Sequence, residues 1–378
     1  MKRRRLDQSI SLRQWIGTIE RLAPEDWAFE WDCVGLQVGD PARSIHRVAT
    51  ALEATETTVQ AAIQWKADLL FVHHPLIWEP LRSVTEESAA GRAIARCIEN
   101  RLAVYVAHTN WDLGSHSMTK HMGQQLNLQQ LRAVCPKPHL AGFKLAVFVP
   151  EPHLAGVRRA MSDAGAGVIG DYRECSFSIP GTGTFFGGQD ASPALGRKGQ
   201  LERVEEQRLE MHVPKGRIGS VIQAMVKAHP YEEAAYDLYP TEAFRDERHL
   251  LWTGRRARAV SAATLAKEVR RVLKCDQVRL IGDPRKKVRT LALCSGGGKS
   301  LLRAVASMPV DAFVTGDIDY HSAREAEGFG LTVIDAGHFD TEKSFPQLAA
   351  EAVRQVPSLR GLDLKALAVE ETPLRGYS

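Results

Sequence analysis

Four short apolar runs constrain the fold of this chain most. ADLLFV (67–72), LAVYV (102–106), DAFVTG (311–316) and LTVID (331–335) each read as a buried strand. Amphipathic helix patterns separate them, near Thr55 to Trp65, near Glu86 to Asn100 and in SAATLAKEVRRVLK (261–274). Strand alternating with helix is the pattern of an α/β layer fold with much parallel pairing. Each run also passes straight into a polar cluster. His73 and His74 follow the first, and His108 and Asp112 lie in AHTNWD after the second. Asp317, Asp319 and His321 lie in GDIDYH, and His338 and Glu342 in GHFDTE. Ligands of open α/β sheets bind at the carboxyl ends of strands, so coincident clusters at strand ends mark a site.

The side-chain types point to metal chemistry. Imidazole with carboxylate, and no cysteine in the clusters, suits zinc, manganese, iron, cobalt or nickel. Adjacent side chains on a strand face opposite ways, so His73 and His74 would serve two ions more readily than one, given a bridging carboxylate. His338 and Glu342 are four apart, which one helical turn would bring together. Pro346 cannot sit deep in a helix, so a short turn is expected there, with a longer helix after Ser344. SGGGKS (295–300) is not a phosphate-binding loop of the Walker type, because Leu293 stands where that pattern needs glycine. Close packing at a turn is the expected role of its glycines. GxSxG is absent.

The pattern changes near Pro136. A strand in GFKLAVFVP and a helix in HLAGVRRAMSDAG come first. YRECSFSIPGTGTFFGG reads as strand, Gly-rich turn, strand, and QLERVEEQRLEMHVP as a solvent-facing antiparallel strand. A helix in GRIGSVIQAMVKAHP and a strand in AAYDLYP follow. The order β-α-β-β-α-β is that of a ferredoxin-like domain. The expected organisation is therefore an α/β core in two halves, 1–137 and 245–378, with a ferredoxin-like domain inserted at 138–244. HPYEE (229–233) reads as a helix end and turn, with Tyr231 packing inward.

The 378 residues carry a formal charge of +4, with basic and acidic residues interspersed. The exceptions are MKRRR at the start and RRARAV (255–260), and neither has interleaved aromatics for stacking on bases, so nucleic acid is not the expected partner. Six scattered cysteines without a CxxC pair argue against a disulfide framework or zinc ribbon, and for a reducing cytoplasm. No apolar run reaches the roughly 18 residues of a membrane span.

Taken in order, WDCVGLQVGD, HHPLIW, AHTNWD, TGDIDYHSAREA and DAGHFDTE resemble the NIF-three-like family, also called GTP cyclohydrolase 1 type 2 homologues. The segment ending AHPYEEAAYDLYP is similar to the CutA- and PII-like insert of its longer bacterial members. The resemblance implies a toroidal homohexamer, capped at the ring openings by the insert, and a dinuclear metal centre. Its ligands would be His73, His74, Asp112, His338 and Glu342. Glu342 would bridge, with His73 and His338 on one ion and His74 and Asp112 on the other. His108, Asp317 and His321 would brace ligands or line the cavity. Trp31 and Asp32 are expected to serve packing and a turn, with a contact to the cavity as the alternative role. The chain departs from the family at Cys33, where asparagine is usual, and at Phe339, where tyrosine is common. The implied activity is hydrolysis of a nucleotide-like substrate by a metal-activated water, with opening of the GTP imidazole ring as the named case. The alternative is a non-catalytic, metal-loaded hexamer that senses a ligand or binds a partner through the insert.

Overall fold

The computed structural model describes residues 9–135, 142–169, 172–190, 194–241, 247–367 and 372–374. The MKRRR opening and the junctions at 137–138 and 244–245 lie outside the described residues. The chain gathers into two compact units, Met1–Lys137 with Arg245–Ser378, and Pro138–Phe244. The mixed α/β architecture expected from the sequence is the one observed.

The first unit holds two larger sheets. One has five strands in the order Asp363–Ala366, Arg47–Ala51, Leu69–Val72, Ala103–Val106, Gly35–Val38. The first four run parallel and the last antiparallel. Leu69–Val72 and Ala103–Val106 are buried at every position. Both faces are covered, so polar alternation has no place in them. Leu69 and Phe71 pack among Trp15, Ile19 and Phe345 on one face. Leu70 and Val72 pack among Val59, Ile94 and Cys97 on the other. Trp15 meets Phe71 and Tyr105 edge-on, each at 5.2 Å. The covering helices start where the chain supplies caps: Ser11 with Gln14 forms a capping box, and Thr55 and Ser88 cap Glu56–Gln64 and Ala89–Glu99.

The other sheet has six strands, Arg279–Ile281, Thr332–Asp335, Ala312–Gly316, Lys287–Gly297, Trp252–Ser261 and Gln129–Ala133. Thr332–Asp335, Ala312–Gly316 and Lys287–Gly297 are parallel. RRARAV is part of the strand Trp252–Ser261, paired with Lys287–Gly297. No helix among the described residues is long and apolar enough to cross a membrane.

The second unit follows the order β-α-β-β-α-β. Its antiparallel sheet runs Tyr236–Thr241, Gly142–Val149, Leu201–Pro214, Ser176–Phe186. Val157, Met161, Val221 and Met225 of its two helices pack on Leu145, Val147, Leu209 and Met211. One expectation fails here. PGTG is no turn; Ser176–Phe186 runs through it as a single strand. Among the described residues the strand lies at the sheet edge and pairs only with Leu201–Pro214, so Pro180 can leave its missing N–H on the unpaired side.

Candidate metal centre

Parallel strands share a direction, so their carboxyl ends gather, and the polar clusters gather with them. Glu53 follows Arg47–Ala51, His73 and His74 follow Leu69–Val72, and His108 follows Ala103–Val106. From the other sheet, Asp317 follows Ala312–Gly316, and His338 follows Thr332–Asp335. Asp112 is not on a strand. The chain leaves the sheet at Val106 and makes one helical turn, Thr109–Asp112. His338–Glu342 is likewise a single turn, and the helix Phe345–Gln355 begins after Ser344.

Glu342 sits at the middle of the cluster. Its Oε2 lies 2.9 Å from His74 Nε2 and 3.0 Å from His338 Nε2. Its Oε1 lies 3.8 Å from His73 Nε2, which is 3.7 Å from Asp112 Oδ2. The outer nitrogens are braced: His73 Nδ1–H donates to the Ala107 carbonyl at 2.9 Å. His74 Nδ1 meets Glu53 at 3.0 Å, and His338 Nδ1 meets Asp317 at 2.7 Å. Asp317 adopts φ 57°, a left-handed conformation uncommon outside glycine and found at functional sites.

Electrostatics divide the three histidines. Burial pushes His73 down to about 4 against the pull of Glu342, so the ring is neutral. Its proton is on Nδ1, and Nε2 presents a bare lone pair. Burial also opposes charge on His74 and His338, but the hydrogen bonds they donate to flanking carboxylates prevail and raise them to about 9 and about 11. Burial would raise Glu342 too. Hydrogen bonds led by that of His338 hold it well below the usual carboxylate range. Burial and the neighbouring Glu342 charge push Asp112 well above that range.

These residues fit a metal. His73 Nε2 and Asp112 Oδ1 are buried without a hydrogen-bond partner, which is costly unless something else satisfies them. The gaps of 3.7 and 3.8 Å around His73 Nε2 exceed hydrogen-bond reach. They are close to the roughly 3.4 Å between tetrahedral ligands at about 2.1 Å from one ion. Potential ligand atoms of His73, Asp112 and Glu342 form one compact group, and those of His74, His338 and Glu342 another. The two groups around Glu342 thus set His73 with Asp112 and His74 with His338, where the resemblance implied His73 with His338 and His74 with Asp112. The strand has ended at Val72, so the alternation that was to part the two histidines does not operate. Their rings lie 5.1 Å apart, and both turn toward Glu342, one to each oxygen.

A proton balance follows. His74 and His338 are charged at neutral pH without a metal, and a cation needs their Nε2 lone pairs. Zinc added to metal-free protein at pH 7 is expected to release about two protons or more per chain, and to bind more tightly as pH rises from 6 to 9. Proton release in weak buffer measures this; none would exclude these imidazoles as ligands.

The other expected site residues fall out differently. His108 joins the cluster, grouped with His73 and His74. Its Nδ1 meets Asp32 at 2.8 Å. Asp32 is therefore more than a turn residue: it also accepts hydrogen bonds from the Thr109 N–H and hydroxyl. Burial opposes its charge, but these bonds keep it below its usual value. His321 does not reach the cluster. It lies in the first turn of Tyr320–Gly328, exposed, its ring against Tyr320. Asp319 is consumed as that helix's cap, accepting from the Ser322 N–H. Trp31 is not packed away but 56% exposed. Glu53 was missed, although the strand-end rule that found His73 also covers it; ALEAT reads first as a helix start. In HPYEE both His229 nitrogens are taken, Nδ1 by the Tyr231 N–H and Nε2 by the Phe148 carbonyl, so that ring is structural. The glycines of SGGGKS pack closely against the centre rather than round a phosphate: a Cβ on Gly296 would strike Glu342 Oε1.

A profile of the family described as Duf34/NIF3 (NGG1p interacting factor 3) matches residues 10–373. A GTP cyclohydrolase 1 type 2 homolog of Halalkalibacterium halodurans is 36% identical over 356 residues, 93% of this chain and 95% of that protein. One of Mycobacterium tuberculosis is 35% identical over 350 residues, 92% of each. A crystal structure of a Bacillus cereus protein related to NIF3 superposes with a TM-score of 0.79 at 34% identity, covering 98% of this chain and 100% of that one.

Proposed function

Because the chain belongs to the Duf34/NIF3 family, we propose that it is a metal-dependent hydrolase with two divalent ions, acting on a nucleotide-like substrate. The observation that carries this is the pair of orphaned buried atoms, His73 Nε2 and Asp112 Oδ1, set against a carboxylate that two further imidazoles share. His73 and Asp112 would hold one ion, His74 and His338 the other, and Glu342 both. The set of imidazoles and carboxylates fits zinc, manganese, iron, cobalt or nickel. When bound, such ions supply Lewis acidity and acidify water to near-neutral pKa.

The chain's own residues do the rest. Glu53 and Asp317 orient His74 and His338 through their outer nitrogens, and the Ala107 carbonyl does the same for His73. Asp32 fixes the His108 ring, whose other nitrogen is left to the cleft. In that position it can accept or donate a proton beside the reacting bond. The relatives' name points to GTP as substrate. Water would then cleave both C–N bonds at C8 of the imidazole ring, and C8 would leave as formate.

The Pro138–Phe244 unit fits a ferredoxin-like module of the CutA and PII kind through its strand order, and the family resemblance brings with it a toroidal homohexamer. Sensing through HPYEE has less support, since the His229 ring is occupied. Purified protein incubated with GTP and Mn²⁺ or Zn²⁺ is expected to form formate above a His74→Ala control. Formate at the control level rejects GTP. Mass in solution tests the hexamer.

A further inference from the structure

Two tryptophans stand in the open beside the cluster. Trp31 is 56% exposed and Trp78 49% exposed. Both line the cleft that holds His74, His108 and Glu342. Each meets His108 edge to face, Trp31 at 6.1 Å and 74°, Trp78 at 5.3 Å and 88°. Indoles this exposed do little for the core, yet neither is loosely held.

The backbone beneath them is tied together. Trp31 stacks on the buried Phe29 at 5.8 Å and 3°. The Phe29 N–H donates to Thr109 Oγ1 at 3.2 Å, next to His108. Gln37 binds both polar groups of Ile77 at 2.9 Å and donates to the Cys33 carbonyl at 3.1 Å. The Cys33 thiol donates to the Trp78 carbonyl at 3.0 Å. The segments carrying Trp31 and Trp78 are thereby joined, and Asp32 fixes the imidazole between them.

We infer that Trp31, Trp78 and His108 form a preformed aromatic subsite that takes the flat ring of a nucleobase. Indole faces attract planar rings through stacking and dispersion, with little regard for ring substituents. A surface already held in place gives up little entropy when a ligand arrives. A ring seated here lies within the same cleft as the His/carboxylate cluster, so the bond to be cut can reach it. This inference rests on the nucleotide-like substrate proposed above and specifies which part of it is read.

The test uses full-length, metal-loaded protein and calorimetric titration with guanosine 5′-monophosphate and with ribose 5-phosphate, which lacks the base. The native protein is expected to prefer the nucleotide by about ten-fold or more. A Trp31→Ala/Trp78→Ala double variant is expected to lose that preference, with metal content and ribose 5-phosphate affinity unchanged. Trp31→Phe/Trp78→Phe, which keeps aromatic faces, is expected to restore most of it. Equal affinities in the native protein overturn the subsite, as does a preference that survives the double Ala variant. So does a double variant that changes mass in solution while keeping its preference, since the indoles would then be a contact between copies. Loss of the preference without formate from GTP keeps the subsite and rejects opening of the GTP ring. Formate formed from GTP by the double variant with the native KM does the reverse.

Discussion

Glu342→Gln is expected to strip the protein of both ions, whereas His73→Ala and His74→Ala each remove one. The asymmetry follows from position. Glu342 Oε2 is 2.9–3.0 Å from His74 and His338, and its Oε1 faces His73 and Asp112. Of the two groups that contain Glu342, His73 belongs to one and His74 and His338 to the other, while the carboxylate belongs to both. Glutamine keeps the shape but carries no charge and places an N–H₂ where one lone pair should be. Loss of a brace one step removed from a metal weakens binding by about 10–100-fold, so loss of the shared ligand should exceed about 100-fold. Elemental analysis after gel filtration reads the result, near two, one and zero ions per chain. Thermal unfolding adds an independent reading. A ligand at about 1,000 times its Kd stabilises by about 4 kcal/mol, and chelator should abolish that shift in the native protein but find nothing to abolish in Glu342→Gln. A Glu342→Gln protein that retains one ion would mean the two groups do not share this carboxylate.

The second large effect comes from a residue without a side chain. Gly296→Ala is expected to lower both metal content and stability. Gly296 sits at φ 65°, where an L-residue is strained by roughly 1–2 kcal/mol. Its N–H donates to Thr341 Oγ1 at 2.9 Å, so the backbone there is pinned. A new Cβ would strike Glu342 Oε1 and come within 3.4 Å of His338 Nε2. Strain and displaced carboxylate together should lower unfolding stability by about 2–4 kcal/mol in urea titrations of metal-free protein. Gly17→Ala is the control. It lies within the helix Leu12–Ile19 with nothing within 4 Å of its Cβ, and should be neutral or stabilising by up to about 1 kcal/mol. If the two variants behave alike, close packing at Gly296 has no bearing on the centre.

Much of the core could be read from apolar runs. ADLLFV and LAVYV are apolar at nearly every position because both faces of their sheet are covered, and that property is local. Elsewhere local signals misled. PGTG carries the residues of a turn, but at a sheet edge the same residues extend a strand. AHTNWD looks like a strand tip, but its carboxylate comes from a helical turn. His321 matched the strand-end pattern, yet it sits past a helix cap, exposed beside Tyr320, and joins none of the ligand groups.

What the sequence by itself determined is the inventory: four strand ends carrying imidazole and carboxylate, and a parallel architecture that must bring such ends to one side. That much follows because periodicity, side-chain type and the direction of βαβ units are properties of consecutive residues. Only the tertiary structure decided the partnerships. Potential ligand atoms of His73 group with those of Asp112, and those of His74 with those of His338, each set around Glu342, which lies more than 200 residues beyond His73, His74 and Asp112 along the chain. It also decided that Asp32 aims His108 and that Trp31 and Trp78 stand open beside it. Distances across a cleft depend on how helices and sheets pack, and no spacing within a single segment encodes them.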